Sequence, residues 1–199
     1  MIIRKKFQFN GKHIVRNCSS DRCKHSIHAH TYEVEVFFTS KGLDNGGMIL
    51  DFGLMKNNIK EVIKSFDQSY SLWSKESEKF KNHIYSTNKR VVELPYTPSA
   101  EIYSLILFFL VDNIIKASEF NNSEKDVELT SVRVHETRSG YAESFRDDLL
   151  LLDLNLKDIL FSDSIRDSWT DSNMYINLVK AIETDTKCFV NPTPTIQIF

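Results

Sequence analysis

Residues 31–40 (TYEVEVFFTS) alternate so regularly that they constrain the fold more than any other segment of the chain. Tyr32, Val34 and the next two residues at that spacing are apolar, while Glu33 and Glu35 fall between them. Successive side chains of a strand point to opposite faces, so this period predicts a strand with one apolar face and one polar face.

Two histidines extend the apolar face of this strand toward its N-terminal end. In a strand that begins at residue 28, His28 and His30 project on the same side as Tyr32, about 7 Å apart along the backbone. His13 follows a first predicted strand at residues 2–9 and is the natural third member of the group. Three imidazoles with an open fourth position are typical of a catalytic zinc site, although an isolated H-x-H pattern is also common on protein surfaces.

Cys18 and Cys23 lie just upstream of these histidines and favour metal or thiolate chemistry, although either can equally be a buried apolar residue. With Cys188 they make an odd, sparse set of cysteines, for which reduced thiols are expected. The first ten residues contain no apolar core followed by a small-residue cleavage site. The sequence therefore predicts a cytoplasmic protein.

The middle of the chain is predicted to contribute a hairpin strand and a helix. The turn-forming residues 41–47 precede a short apolar run, 48–52 (MILDF), which is predicted to re-enter the sheet as a hairpin partner. From Gly53 to Phe66, apolar residues recur at helical spacing. Residues 69–97 show no clean period and are predicted to form a long irregular connection.

A second helix is predicted with Ser99 as its N-cap, and its apolar stretch at 102–111 is about half the length needed to cross a bilayer. A further strand is predicted at residues 127–137, where Glu136 shares a face with Val134. An unpaired carboxylate on an apolar face is costly, so Glu136 is expected to have a dedicated partner.

The character of the sequence changes after Arg146, which divides the chain into a predicted domain at 1–146 and a C-terminal extension of unknown role at 147–199. Residues 149–160 fit both the helical and the strand period. Residues 172–183 are predicted to be helical and are followed by a tail that contains proline and threonine.

The net charge of −2 and the isoelectric point near 6.3 give the chain no general attraction to nucleic acids or to anionic membranes. Neither kind of partner is expected. An anionic substrate must therefore be held by local charges.

Six short motifs occur in an informative order along the chain. They are FQFNGKH, CKHSIHAHTY, GGMILDFGLMK, FDQ, PSAE and VHETRSGYAE. In this order, they resemble the 6-pyruvoyltetrahydropterin and 6-carboxytetrahydropterin synthases over about residues 1–146. The resemblance implies an α+β tunnelling fold (T-fold), in which an antiparallel four-stranded sheet carries two helices on one face. It also implies closure into a homo-oligomeric barrel, as a trimer or a hexamer.

The resemblance further implies roles for individual residues. His13, His28 and His30 would bind zinc. Cys23 would be the proton-abstracting thiol, with Cys18 as the alternative. Ala29 stands where the family usually has glycine and adds a methyl group beside the metal ligands.

Glu136, followed by Thr137, matches the family's anchor for the pterin ring. Asp67 matches the first member of an Asp-His pair that assists the thiol. Gln68 replaces the histidine of that pair, and a glutamine can form hydrogen bonds but cannot relay a proton. His25 is the candidate that could substitute for it.

The reaction implied by the resemblance is the zinc-dependent conversion of 7,8-dihydroneopterin triphosphate to 6-carboxy-5,6,7,8-tetrahydropterin, for queuosine or another deazapurine. Two alternatives stay open at this stage. One is 6-pyruvoyltetrahydropterin synthase activity, and the other is a zinc- and pterin-binding paralogue whose turnover is impaired by Gln68.

Overall fold

The computed structural model describes residues 1–191, which form one large seven-stranded sheet, a separate two-stranded sheet and the helices around them. The strands are β1 (Ile2–His13), β2 (His28–Thr39), β3 (Ser69–Trp73), β4 (Val91–Leu94), β5 (Ser118–Phe120), β6 (Glu128–His135), β7 (Tyr141–Phe145), β8 (Leu160–Phe161) and β9 (Phe189–Asn191). The α-helices are α1 (Asp21–His25), α2 (Gly53–Lys56), α3 (Asn58–Lys64), α4 (Glu78–Thr87), α5 (Ala100–Lys116), α6 (Asp163–Arg166) and α7 (Met174–Glu183). Two 3-10 turns lie at Arg146–Leu151 and Leu156–Asp158.

The large sheet is mixed, with the strand order β7-β6-β2-β1-β3-β4-β8. Its β7-β6-β2-β1 part is antiparallel, as predicted. The prediction of only four strands is wrong, because β3 and β4 continue the sheet parallel to β1 and β8 closes it antiparallel to β4. The mixed α+β content agrees with the prediction, while the sheet is larger.

The irregular connection predicted for residues 69–97 is also wrong, since this segment forms β3, α4 and β4. All four residues of β4 are buried, as are four of the five residues of β3. Strands that are buried on both faces have no polar alternation to reveal them. VVEL shows no alternation, and the alternation of SYSLW is only four residues long and has both its serines and its apolar side chains buried.

The run at residues 48–52 is not the predicted hairpin strand. Its Ile49 and Leu50 are buried in the core, but its backbone forms turns and no strand ladder. Asp51 accepts a hydrogen bond from the backbone N–H of Gly53, where α2 begins. These two side chains are thus buried by packing against the core and not by strand pairing.

Helix α5 lies across the sheet and is nearly surrounded by apolar contacts. Its predicted N-cap is confirmed, because the Ser99 side chain accepts a hydrogen bond from the Ile102 N–H at 3.4 Å. The buried residues of α5 face both the sheet and the C-terminal segment. None of the helices in residues 1–191 is both long enough and apolar enough to span a membrane.

The described part of the C-terminal extension packs into the same apolar core as the rest of the chain. Phe161, Trp169 and Leu178 are among its buried residues there. Arg146 forms a two-pronged ion pair with Asp112 of α5, with N–O distances of 2.7 and 3.1 Å. The helix predicted at 172–183 is confirmed as α7, residues 149–160 form the 3-10 turns and the start of β8, and most of the predicted tail lies outside the described residues.

Candidate active site

The register of β1 against β2 brings three histidines together. The two strands pair along twelve positions, so that His13 at the end of β1 lies directly opposite His28 at the start of β2. His30 lies opposite Gly11 on the same face. The ligand nitrogens of His13, His28 and His30, hereafter the histidine cluster, all lie within 4.8 Å of one another.

Two members of the histidine cluster are held in one tautomer by backbone carbonyls. His13 Nδ1 lies 2.6 Å from the Pro98 carbonyl oxygen, and His28 Nδ1 lies 3.0 Å from that of Ser26. A carbonyl can only accept a hydrogen bond, so each Nδ1 donates its hydrogen to the carbonyl and Nε2 is the ring nitrogen left to bind a metal. Orientation of this kind by a second group is typical of histidines that bind metals.

The surroundings of His13 keep its imidazole neutral. Burial lowers the pKa of His13 to about 4 against the raising effect of the Pro98 hydrogen bond, and the neighbouring His28 and His30 lower it further. A neutral imidazole offers its lone pair at pH 7 without first losing a proton. The three nitrogen donors therefore suit a divalent transition metal.

Glu136 has the dedicated partner that its place on an apolar face requires. Its Oε1 accepts a hydrogen bond of 3.2 Å from the Tyr32 hydroxyl. The same oxygen lies 3.8 Å from Nε2 of both His13 and His30. About a third of the Glu136 side chain is exposed, so the carboxylate can also contact a ligand beside the histidine cluster.

Aromatic side chains form the floor of this site. Tyr32 is fully buried, stacks on Phe9 at a ring distance of 4.8 Å and contacts the Tyr103 ring at 4.9 Å. Burial raises the pKa of Tyr32 far above its ordinary value, with further raising by Tyr103 and Glu136. Tyr32 therefore remains a hydroxyl donor.

Ala29 is exposed and lies on the opposite face of β2 from the histidine cluster. Its extra methyl group therefore points away from the ligand nitrogens. Gly11 does face the cluster side, where an added Cβ would lie 3.1 Å from the Phe9 ring. A side chain at position 11 would therefore press on the Phe9 ring.

Cys23 lies on α1, in the loop that joins β1 to β2. Its carbonyl accepts a hydrogen bond from the Val15 N–H at 3.1 Å, which ties this turn to the chain two residues beyond His13. The cysteine is half-buried but does not belong to the group of ligand atoms that lie within 4.8 Å of one another. Cys18 donates from its Sγ to the Ser20 carbonyl at 3.3 Å.

The structure does not bring Asp67 to the histidine cluster within one chain. Asp67 Oδ1 accepts a 2.8 Å hydrogen bond from the Asn10 N–H. Asn10 precedes His13 by three residues of an extended strand, a distance of about 10 Å. Gln68 beside it is exposed, with a backbone φ of 54° in the left-handed region. His25 pairs with Asp21 on α1. Cys23 lies two positions from each of them along the helix, so its side chain points to the opposite side.

A second group of potential ligands lies on the opposite face of β2. Glu33, Glu35 and His135, hereafter the carboxylate cluster, also have ligand atoms within 4.8 Å of one another. Glu33, His135 and the exposed Thr137 border a cavity of about 610 Å³ on this face. Cations surround this group, as Glu35 pairs with Arg4 at 2.6 Å and Glu33 pairs with a lysine.

Sequence reasoning missed two contributors to the site. Tyr32 was assigned only to a core face, yet its spacing of two from His30 already placed it beside the cluster. The Pro98 carbonyl had no sequence signal, because any residue at that position offers a carbonyl oxygen.

Comparisons with known proteins agree with this architecture. A family model described as 6-pyruvoyl tetrahydropterin synthase matches residues 2–147. The 6-carboxy-5,6,7,8-tetrahydropterin synthase of Helicobacter pylori is 40% identical over 204 residues and covers all of both chains. The protein of the same name from Rickettsia bellii is 31% identical over 127 residues, which are 62% of this chain and 85% of that protein.

Solved structures show the same fold. An uncharacterized protein from Wolinella succinogenes superposes with a TM-score of 0.56 at 18% identity, over 73% of this chain and 98% of that one. The 6-pyruvoyl tetrahydropterin synthase of Plasmodium vivax gives a TM-score of 0.53 at 17% identity, with the same coverage. The family match and the full-length relatives establish that this chain belongs to the 6-pyruvoyl tetrahydropterin synthase family.

Proposed function

We propose that this protein is a zinc-dependent lyase that converts 7,8-dihydroneopterin triphosphate to 6-carboxy-5,6,7,8-tetrahydropterin. The observation that carries the proposal is the position of Glu136, 3.8 Å from two nitrogens of the histidine cluster. A pterin held by this carboxylate would place its side chain beside the metal. The full-length likeness to the Helicobacter pylori 6-carboxy-5,6,7,8-tetrahydropterin synthase favours this product over 6-pyruvoyltetrahydropterin.

His13, His28 and His30 would hold the zinc ion through their nitrogens. When bound, zinc supplies Lewis acidity that makes a C–H next to a coordinated oxygen easier to deprotonate. Glu136 would accept hydrogen bonds from the N–H groups of the pterin ring, a charge-assisted contact that fixes the position of the ring. Thr137 follows Glu136 just beyond the end of β6. Its assignment to the pterin subsite rests on the family resemblance, because within one chain it borders the cavity on the opposite face of β2.

We assign proton removal to Cys23. Two hydrogen bonds hold its loop next to the end of β1: Val15 donates to the Cys23 carbonyl, and Arg16 donates to the Lys24 carbonyl at 2.9 Å. Cys18, whose thiol already donates to a backbone carbonyl, remains the alternative. A thiol acts as a base only as its thiolate, so proximity to a cation is part of this assignment.

The direct test is incubation of purified, zinc-loaded protein with 7,8-dihydroneopterin triphosphate, with the products identified by mass spectrometry. We expect 6-carboxy-5,6,7,8-tetrahydropterin, and we expect Cys23→Ala to abolish it while Cys18→Ala retains it. Formation of 6-pyruvoyltetrahydropterin instead would identify the other branch of the family. Binding of the substrate with no product, even at high enzyme concentration, would exclude the enzyme assignment.

A second candidate function is favoured by Gln68, which replaces the proton-relaying histidine of the family. In this case the protein binds zinc and pterin but turns over poorly. A Gln68→His variant separates the two functions, because turnover that appears only in this variant identifies an impaired paralogue. Equal turnover in both proteins supports the active enzyme.

We also propose that the protein acts as a homo-oligomer, a trimer or a hexamer. Within one chain Asp67 bonds to Asn10, which lies about 10 Å along β1 from His13, so we assign it to the thiol of a neighbouring subunit. Strand β7 ends the sheet on one side, and β3 pairs with only Gly11 and Lys12 of β1, which leaves strand edges for such neighbours. Light scattering measures the mass, and a monomer would contradict the role of Asp67.

A further inference from the structure

The Tyr32 hydroxyl lies between the histidine cluster and the carboxylate of Glu136. It is 3.2 Å from Glu136 Oε1 and 3.2 Å from His13 Nε2, and the side chain is fully buried. A phenol has one hydrogen to donate, so the hydroxyl can satisfy only one of these two acceptors at a time.

Whether His13 binds a metal ion determines which of the two acceptors receives the Tyr32 hydrogen. Because Nδ1 of His13 donates to the Pro98 carbonyl, Nε2 is the atom with the lone pair. Without metal, that lone pair competes with Glu136 for the Tyr32 hydrogen. When Nε2 binds a metal ion, the lone pair is occupied and Glu136 is the acceptor that remains.

We propose that Tyr32 is a positioning residue that couples metal binding at the histidine cluster to ligand binding by Glu136. Donation to Oε1 holds the carboxylate in one orientation and leaves Oε2 to accept from the ligand. The inference rests on the proposed function, since it takes that ligand to be a pterin. It assigns Tyr32 no contact with the reacting atoms.

Tyr32 can be tested by removal of its hydroxyl alone. Its ring stacks on Phe9 and contacts Tyr103, and a phenylalanine retains both contacts. The neighbouring Tyr103 is equally buried, but its hydroxyl has no hydrogen-bond partner among residues 1–191. Of these two tyrosines, Tyr32 is therefore the one whose hydroxyl donates a hydrogen bond to Glu136.

The experiment measures the affinity for 7,8-dihydroneopterin by calorimetry, with and without zinc, in wild-type protein and in Tyr32→Phe. We expect zinc to raise the affinity of the wild type, and we expect this enhancement to fall about 10- to 100-fold in Tyr32→Phe, the effect of one hydrogen bond to a charged acceptor. Zinc content should be unchanged. By linkage, the effect of 7,8-dihydroneopterin on zinc affinity should fall by the same factor.

Tyr175→Phe is the matched control. Tyr175 lies on α7, away from the histidines, and donates a buried 2.7 Å hydrogen bond to the carbonyl of Leu156. This control should lose stability but keep the full enhancement by zinc. An equal enhancement in wild type and Tyr32→Phe would overturn the role of Tyr32 and leave the proposed function intact. Loss of zinc from Tyr32→Phe would also overturn it, whereas failure of the zinc-loaded wild type to bind 7,8-dihydroneopterin would overturn the proposed function together with this inference.

Discussion

Strand β2 separates two groups of metal-ligating side chains that differ in their surroundings. Among the described residues, the histidine cluster has Glu136 as its one ion-pair partner and no nearby lysine or arginine pair. In the carboxylate cluster, Glu35 is almost completely buried and pairs with Arg4, Lys6 and Arg133. Both groups bring three ligand atoms within 4.8 Å of one another.

The difference shows that donor atoms alone do not make a metal site. Burial would raise the pKa of Glu35, but a hydrogen bond from His135 and the charges of Arg4, Lys6 and Arg133 outweigh burial and lower it. Its negative charge is thus already balanced by side chains. A metal ion would have to displace these cations, whereas among the described residues no lysine or arginine pairs with the histidine cluster.

The largest effect on zinc binding is expected when one ligand is removed from each cluster in turn. His30→Ala should lower zinc affinity roughly 100- to 1,000-fold, because one of three nitrogen ligands is lost. Glu33→Gln, the matched change in the carboxylate cluster, should leave zinc affinity unchanged. Competition with a chelator measures both, and a comparable loss in Glu33→Gln would show that the carboxylate cluster also binds the metal.

The next largest effect is expected on stability rather than on metal binding. Glu35→Gln should lower the free energy of unfolding by about 2 kcal/mol, since it leaves the neighbouring cations without their shared counter-charge. The value is below that for a fully buried pair because Arg4 is half exposed. Urea denaturation measures the loss, and zinc content should stay at the wild-type level. A variant that loses zinc would show that the two faces of β2 are not independent.

The pH dependence of stability gives a smaller signal from the same residue. The pKa of Glu35 in the folded protein lies below its ordinary value of 4.5, so folding favours the ionised form. Its contribution is therefore present above pH 4.5 and is lost as the pH falls through the folded-state pKa. The difference in unfolding free energy between wild type and Glu35→Gln should be constant near neutral pH and should shrink in acid. A difference that grows in acid would contradict the lowered pKa.

The smallest effect is expected for Ala29→Gly, which restores the residue usual in the family. The methyl group points to the face opposite the histidine cluster, so zinc affinity should change less than about 2-fold. Greater backbone freedom should reduce stability by about 0.5–1 kcal/mol. Chelator competition and urea denaturation distinguish these effects, and a large gain in zinc affinity would mean that the methyl group does crowd the metal ligands.

The part of this site that could be predicted from sequence follows from strand alternation. His28, His30 and Tyr32 are spaced by two residues, so they share one face of any regular strand, and β2 is regular over these positions. The place of Glu136 on the apolar face followed in the same way from Val134.

The remainder depended on contacts between distant segments. Strands β3 and β4 are short and buried on both faces, so neither shows a sustained alternation of exposed polar and buried apolar residues. The cations around Glu35 come from β1 and β6, and the sequence near Glu35 gives no sign of them. The separation of Asp67 from His13 depends on the pairing of β3 beside β1, which was not predicted.

The opposition of His13 and His28 across the hairpin has a consequence for the loop between them. These two residues are the last paired positions of β1 and β2, and the loop that carries Cys23 starts and ends at them. An ion bound by both histidines would hold the two ends of the loop together. It would therefore reduce the conformational entropy of the fourteen positions between them, 14–27. Chelation would then loosen the segment that carries Cys23, so proteolysis between the two histidines would report whether the protein holds its metal.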